Sequence, residues 1–246
     1  AHHAAAAGTP TLFASMEMPE ADITDRILAA THGIPLAALV AGQLDDDKWG
    51  RITTALGALQ ALPLYLDDQP ALTLLDVATK ARKVQRAAGL GLLVIDYLQL
   101  MTGTGDNRNA ELERISRGLK QLAKELAVPV VALSQLSREC EKRPNKRPLT
   151  SDLRDSGSLE QDADVILALY QDAIYNPDSP DRGTAEVLVR KNRQGRIGEV
   201  RLAWRGECAA FGNLDAEAWA AQRRQEAEQK ALERPMANSR RRGFDG

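Results

Sequence analysis

The chain has 246 residues, with 32 Lys and Arg against 34 Asp and Glu and a formal net charge of −2. Hydrophobic residues make up 43% and charged residues 27%, which excludes a fibre or a chain too polar to form a core. Two cysteines and three histidines exclude a disulfide scaffold and argue against a zinc cluster. A reduced, cytoplasmic setting is the expectation. No apolar run approaches the roughly 18 residues of a membrane span, so no membrane partner is expected. Aromatics are only 4%, too few for a protein that stacks many bases on its side chains.

The N-terminal residues Ala1–Gly8 are expected to be the end of a helix closed by Gly8, as if the chain began inside an element. Thr11-Leu12-Phe13-Ala14-Ser15 reads as a short buried strand. Pro19 is expected to open a helix over 20–31, since proline suits the first helical position. Asp45-Asp46-Asp47 places acids at the positive end of a second helix, reaching about Gln60. Leu64-Tyr65-Leu66 is a strand. Thr73, with Asp76 three positions on, predicts a capping box for a helix that ends at Gly89.

Leu92-Leu93-Val94-Ile95 is a continuous apolar strand ending in Asp96. Leu112, Ile115, Leu119, Leu122 and Leu126 share one face of a helix over 109–126. Strands follow at 128–133 and 165–169, and 187–189 and 200–204 form an antiparallel pair across Gln194-Gly195-Arg196. The alternation predicts an α/β fold, a mainly parallel sheet flanked by helices, with antiparallel hairpins extending one edge. Two regions are expected: a domain over 1–214, and a C-terminal helix with a basic, disordered tail over 215–246. Residues 221–246 carry seven basic residues against four acids, so the body before them is acidic.

Ligands of open parallel sheets bind beyond the carboxyl ends of the strands, so the polar residues there are the candidates. Asp96 can hold Mg²⁺ beside a phosphate or merely cap a loop. Glu17 can activate a water or serve the dipole of the next helix. Gln135 can sense a phosphate or be an ordinary loop amide. Lys191 and Arg193 can stabilise a phosphoryl group or belong to a solvated basic turn. The stretch 138–154 has six basic residues against three acids, enough to track a phosphate backbone or to be a solvated charge run.

Taken together and in order, Ser15-Met16-Glu17-Met18-Pro19, Leu92-Leu93-Val94-Ile95-Asp96-Tyr97-Leu98-Gln99-Leu100, Ala132-Leu133-Ser134-Gln135-Leu136-Ser137-Arg138, Ser151-Asp152-Leu153-Arg154-Asp155-Ser156-Gly157 and Lys191-Asn192-Arg193-Gln194-Gly195 resemble the C-terminal motor domain of the DnaB-type replicative DNA helicases over about residues 10–212. The resemblance implies a RecA-like P-loop NTPase fold, a homo-hexameric ring, ATP and Mg²⁺ as cofactors, and 5′→3′ translocation on single-stranded DNA. It implies primase and a helicase loader as partners. It makes Glu17 the water activator, Asp96 the Mg²⁺ acid, and Gln135 the phosphate sensor. It also implies that Arg26 lies near the nucleotide and that Lys191 and Arg193 reach a neighbouring subunit's ATP. By the same resemblance, Arg154, Asp155 and Gly157 are expected to contact the DNA backbone.

One departure is large. A P-loop of the form G-x-x-x-x-G-K-[ST] holds the phosphates on its backbone amides and its lysine, yet no Gly-Lys pair occurs in this sequence. The expectation is an N-terminally truncated motor domain that starts just downstream of the P-loop and lacks the primase-contacting domain. The alternatives are a non-hydrolysing RecA-like module that binds DNA or joins a ring, or a RecA-type recombinase, which the 152–164 and 191–195 stretches disfavour.

Overall fold

The computed structural model describes residues 1–153, 157–215, 217, 219 and 221. Arg154, Asp155 and most of the expected C-terminal helix and tail lie outside the described residues. In chain order the elements are α1 (His2–Ala6), β1 (Thr11–Ser15), α2 (Glu20–His32), α3 (Leu36–Val40), α4 (Asp46–Gln60), β2 (Leu64–Asp67), α5 (Leu74–Ala88) and β3 (Leu92–Asp96). They continue with α6 (Arg108–Leu126), β4 (Val130–Ala132), α7 (Gly157–Asp162), β5 (Val165–Tyr170), α8 (Asp172–Tyr175), β6 (Thr184–Asn192), β7 (Gly198–Arg205) and β8 (Ala210–Gly212).

The first four strands form a parallel sheet in the order β2-β1-β3-β4. β1 and β3 are buried on both faces, which is why their sequences are continuous apolar runs and not alternating ones. Leu12, Ala14, Leu93 and Ile95 pack with the inner faces of α5 and α6, among them Val77, Ala81, Leu112, Ile115 and Leu119. The two helices approach closely at Gly118, where a Cβ would collide with Leu74. The predicted capping box of α5 is present: Thr73 Oγ1 accepts the Asp76 N–H at 3.2 Å and Asp76 Oδ2 accepts the Thr73 N–H at 2.9 Å. Gly89 closes that helix at φ +74°, a left-handed conformation that a Cβ disfavours.

Three expectations shift. Pro19 stands one position before α2, in extended conformation (φ −60°, ψ 154°), so it is not the first helical residue. Proline has no side-chain acceptor, and the Glu20 N–H donates instead to Asp68 Oδ2, from the loop after β2, at 3.0 Å. The strand expected over 128–133 is only three residues long. Among the described residues the late hairpins do not hydrogen-bond to the parallel sheet. β5-β6-β7-β8 make a four-stranded antiparallel sheet of their own among the described residues. Strand identity was readable from apolar runs, but pairing partners are set by long-range packing that a local pattern does not encode.

Leu112 has no exposed surface, whereas Leu75, on the outer side of α5, is 71% exposed. Leu112→Ala is expected to cost about 3 kcal/mol of unfolding free energy, and Leu75→Ala well under about 1 kcal/mol. Urea denaturation of the two variants measures the difference.

Candidate nucleotide and nucleic-acid site

The site begins with register. β1 and β3 run side by side with Ser15 opposite Asp96, and the Met16 N–H donates to the Asp96 carbonyl at 2.9 Å. The chain then leaves the sheet through a tight turn. Ser15 Oγ donates to the Met18 carbonyl at 2.8 Å and accepts the Met18 N–H at 3.1 Å, leaving Glu17 exposed at its tip. Asp96 is half-buried at the end of β3. Burial pushes its carboxyl above the usual aspartate range, the negative charge of Glu17 pushes it further, and Arg26, exposed on α2, pulls it back. Glu17 and Arg26 therefore share one electrostatic environment with Asp96, which comes from a strand far along the chain.

Gln135 follows β4, next to β3. The Leu133 N–H donates to the Ile95 carbonyl at 2.9 Å and the Leu98 N–H to the Leu133 carbonyl at 3.0 Å. Gln99, in the 3-10 turn after Asp96, ties the two strand ends: its Oε1 accepts the Gln135 N–H at 3.1 Å and its Nε2 donates to Ser134 Oγ at 3.0 Å. Gln99 was not singled out from the sequence. Its signal was present, as an amide in an otherwise apolar turn right after the acid, where both halves of the amide need partners. The Gln135 side chain itself is exposed.

The basic stretch behaves differently from a phosphate-tracking loop. Arg143 makes two hydrogen bonds to Asp152, at 2.9 and 2.5 Å, and Arg147 makes two to Glu186 at 2.7 Å. Asp152 and Glu186 are only 4% and 5% exposed. Lys142 pairs with Glu139 and Lys146 lies over the Tyr175 ring, 4.9 Å from its centroid. Four of the loop's cations thus have partners, and two of them, Arg143 and Arg147, neutralise buried carboxylates. Arg138 stays exposed. Of the three residues matched to a DNA-contacting loop, only Gly157 is described; it is exposed and begins α7.

Lys191 and Arg193 lie at the end of β6 and in the turn after it. Lys191 Nζ donates to the Glu160 and Gln161 carbonyls near the end of α7, favourable for a cation at a helix C-terminus. Arg193 donates to the Gln161 carbonyl at 2.5 Å and pairs with Asp164 at 3.5 Å. Lys120, on α6, also pairs with Asp164; its hydrogen bond leads the causes that hold this carboxyl below the usual range. Among the described residues the structure brings Glu17, Asp96 and Arg26 together, and does not bring Lys191 and Arg193 to them. No cluster of three or more His, Cys, Asp or Glu with metal-site geometry occurs among the described residues. A divalent ion here would need phosphate and water oxygens besides Asp96.

Three measurements follow from these charges. The Asp96 carboxyl is raised, so stability falls as pH rises from the ordinary aspartate range through its folded-state pKa. Asp96→Asn is expected to flatten that slope and raise stability at neutral pH, read as Tm against pH. NMR titration should place Asp96 lower in Glu17→Gln than in the wild type. For the buried loop pair, Arg143→Ala is expected to cost about 2 kcal/mol by leaving Asp152 without its main partner, with Lys142→Ala near neutral in the same urea titration.

Comparison with known proteins gives a consistent picture. The model of the DnaB-like helicase C-terminal domain matches residues 1–213. A replicative DNA helicase DnaB from Pasteurella multocida is 49% identical over 210 residues, covering 83% of this chain and 45% of that protein. A Geobacillus stearothermophilus counterpart is 45% identical over 204 residues, 82% and 45%. The chain thus spans a little under half the length of these curated relatives. Among solved structures, an ATPase domain superposes with a TM-score of 0.83 at 35% identity, covering 86% of this chain and 76% of that one. A DnaB-like replicative helicase, described with its interactions with primase, gives 0.84 at 35% identity, 87% and 53%. A KaiC-like protein of Pyrococcus horikoshii at 16% identity and a TM-score of 0.54 shares the fold alone. With its four-stranded parallel sheet and its acids at the carboxyl ends of adjacent strands, the chain belongs to the DnaB-like helicase C-terminal domain family and has its RecA-like ATPase fold.

Proposed function

We infer that this chain is the motor part of an ATP-dependent replicative DNA helicase that translocates on single-stranded DNA as a homo-hexameric ring. The observation that carries the reading is the junction of β1 and β3. There Asp96, raised by burial and then by the like charge of Glu17, sits at the end of the strand beside the one that leads to Glu17, with Arg26 pulling it back. A hydrated Mg²⁺ beside a nucleotide phosphate would relieve that repulsion. When bound, the Mg²⁺–ATP pair supplies the phosphoryl group and spreads its charge. Asp96 holds the hydrated cation. Glu17, exposed at the turn tip, takes the proton of the attacking water. Gln135, braced through Gln99, meets the terminal phosphate with a neutral amide.

Lys191 and Arg193 serve the ATP of a neighbouring subunit. Support comes from their distance in the charge network: Asp96 responds to Glu17 and Arg26, and neither cation of the β6 turn contributes. The DNA backbone is met by Arg154, Asp155 and Gly157, and Arg138, on the loop after Gln135, is exposed. Primase and a helicase loader are further partners. A cytoplasmic setting fits this work, and among the described residues no helix is long and apolar enough to cross a membrane.

The sequence holds no Gly-Lys pair, which favours a second reading for the 246 residues by themselves: a module that joins a ring or binds DNA without its own ATP turnover. The purified chain is therefore expected to show no ATPase above background. Robust turnover abolished by Glu17→Gln would contradict that. Mixed with intact subunits of a DnaB relative, Arg193→Ala chains should depress ring ATPase more than wild-type chains do, since a finger in trans contributes about 10³-fold or more to turnover. Equal ATPase at every mixing ratio would remove the in-trans assignment.

A further inference from the structure

Two of the arginines of the 138–153 stretch, Arg143 and Arg147, are occupied inside the fold, Arg143 by Asp152 of the loop itself and Arg147 by a residue of β6. Arg147 grips Glu186 on β6 with two hydrogen bonds of 2.7 Å. Four residues along the same strand, Arg190 Nε donates to the Pro148 carbonyl at 2.7 Å. The loop is thus pinned to β6 at two points, and β6 runs directly into Lys191 and Arg193.

The loop is also bound to the end of the parallel sheet. Leu136, next to Gln135, forms an antiparallel bridge with Leu153, and the Ser137 N–H donates to the Asp152 carbonyl at 2.7 Å. Asp152 further accepts the Leu149 N–H at 2.8 Å. The loop therefore has little freedom to shift without moving either Gln135 or β6. The Arg147 guanidinium also stacks on Tyr170 of β5, 4.6 Å from the ring centroid. Glu186 hydrogen bonds hold Arg147 in its charged form, more than offsetting its partial burial. Arg201 of β7 adds a second cation to Glu186 at 3.1 Å.

We propose that Arg147 and Glu186 are positioning residues that join the 136–153 loop to β6, so that a displacement of the loop by a bound DNA strand moves Lys191 and Arg193. This rests on the functional reading above for the identity of the ligand, and not for the link itself. The loop's cations then serve transmission, and backbone binding falls to the few that remain exposed. The link is stiff because a two-point guanidinium–carboxylate contact fixes orientation as well as distance. A lysine would keep the charge and lose the fork.

Hydrogen–deuterium exchange of the full chain tests the link. Arg147→Lys and Glu186→Gln are each expected to speed amide exchange over residues 187–197 about tenfold, the scale of one lost charge-assisted hydrogen bond. Exchange over Thr11–Ser15 should stay unchanged, which reports an intact parallel sheet. The double variant should match Glu186→Gln, because the effect of Arg147 runs through Glu186, which also holds Arg201. Faster exchange confined to residues 137–153, or additive effects in the double variant, would overturn the proposal.

A second arm adds an oligothymidylate of about 16 nucleotides. In the wild type it should alter exchange over 187–197, and in Arg147→Lys it should still bind without doing so. Binding that leaves 187–197 unaltered in the wild type would also overturn the proposal. Failure of the oligonucleotide to bind either protein would count against the DNA reading alone, and the first arm would still decide the link.

Discussion

The register of β1 on β3 is the constraint on which the candidate site depends. Parallel pairing sets Ser15 opposite Asp96, and the Met16 N–H on the Asp96 carbonyl carries that pairing one step past the sheet. A parallel ladder aligns strand ends of the same polarity, so every residue that leaves the sheet at its carboxyl edge emerges on one side. Glu17, Asp96 and the Gln135 loop share that edge for this reason. The continuous apolar runs that bury β1 and β3 hold the register, since a slip would move their side chains out of the packing against α5 and α6.

Electrostatics then separates the candidate residues into two groups. At the β1–β3 junction Asp96 is held above the usual aspartate range first by burial and then by the negative charge of Glu17, with Arg26 pulling the other way. Around the loop and the second sheet the opposite holds. Asp152 is buried, which alone would disfavour its charge, yet hydrogen bonds from Arg143 and the Leu149 N–H bring its carboxyl below the usual range. Glu186 has two arginines. Fully paired buried carboxylates make rigid structure, while a crowded, partly exposed pair of acids is suited to a cation that comes and goes. Tyr170 belongs to the rigid side: burial and its hydrogen bond to Asp172 push its hydroxyl up to about 12.

The second sheet is more than an extension of the first. Because β5 to β8 pair only among themselves within the described residues, their position is set by contacts from outside the ladder. Ser116 on α6 donates to Asp162 at 2.7 Å, Lys120 pairs with Asp164, and the arginines of the loop reach β6. Polar contacts with defined geometry therefore locate a sheet that hydrophobic packing alone would leave free to slide.

Much is legible in the sequence alone where the information is local. The capping box at Thr73 and Asp76, the acids opening α4, the helical face of Leu112, Ile115 and Leu119, and the apolar strands before Glu17, Asp96 and Gln135 all follow from neighbours within a few positions. The family itself was readable because its motifs are short and in order. The tertiary structure alone decided that Asp68 caps α2, that Gln99 braces Gln135, that the hairpins form a separate sheet, and that Arg143 and Arg147 face buried acids. In each of these cases the partner lies far along the chain or on another element. Charge in a sequence says that a residue will be hydrated or paired, and only packing determines which, because the desolvation that makes pairing obligatory exists only once the fold has closed around it.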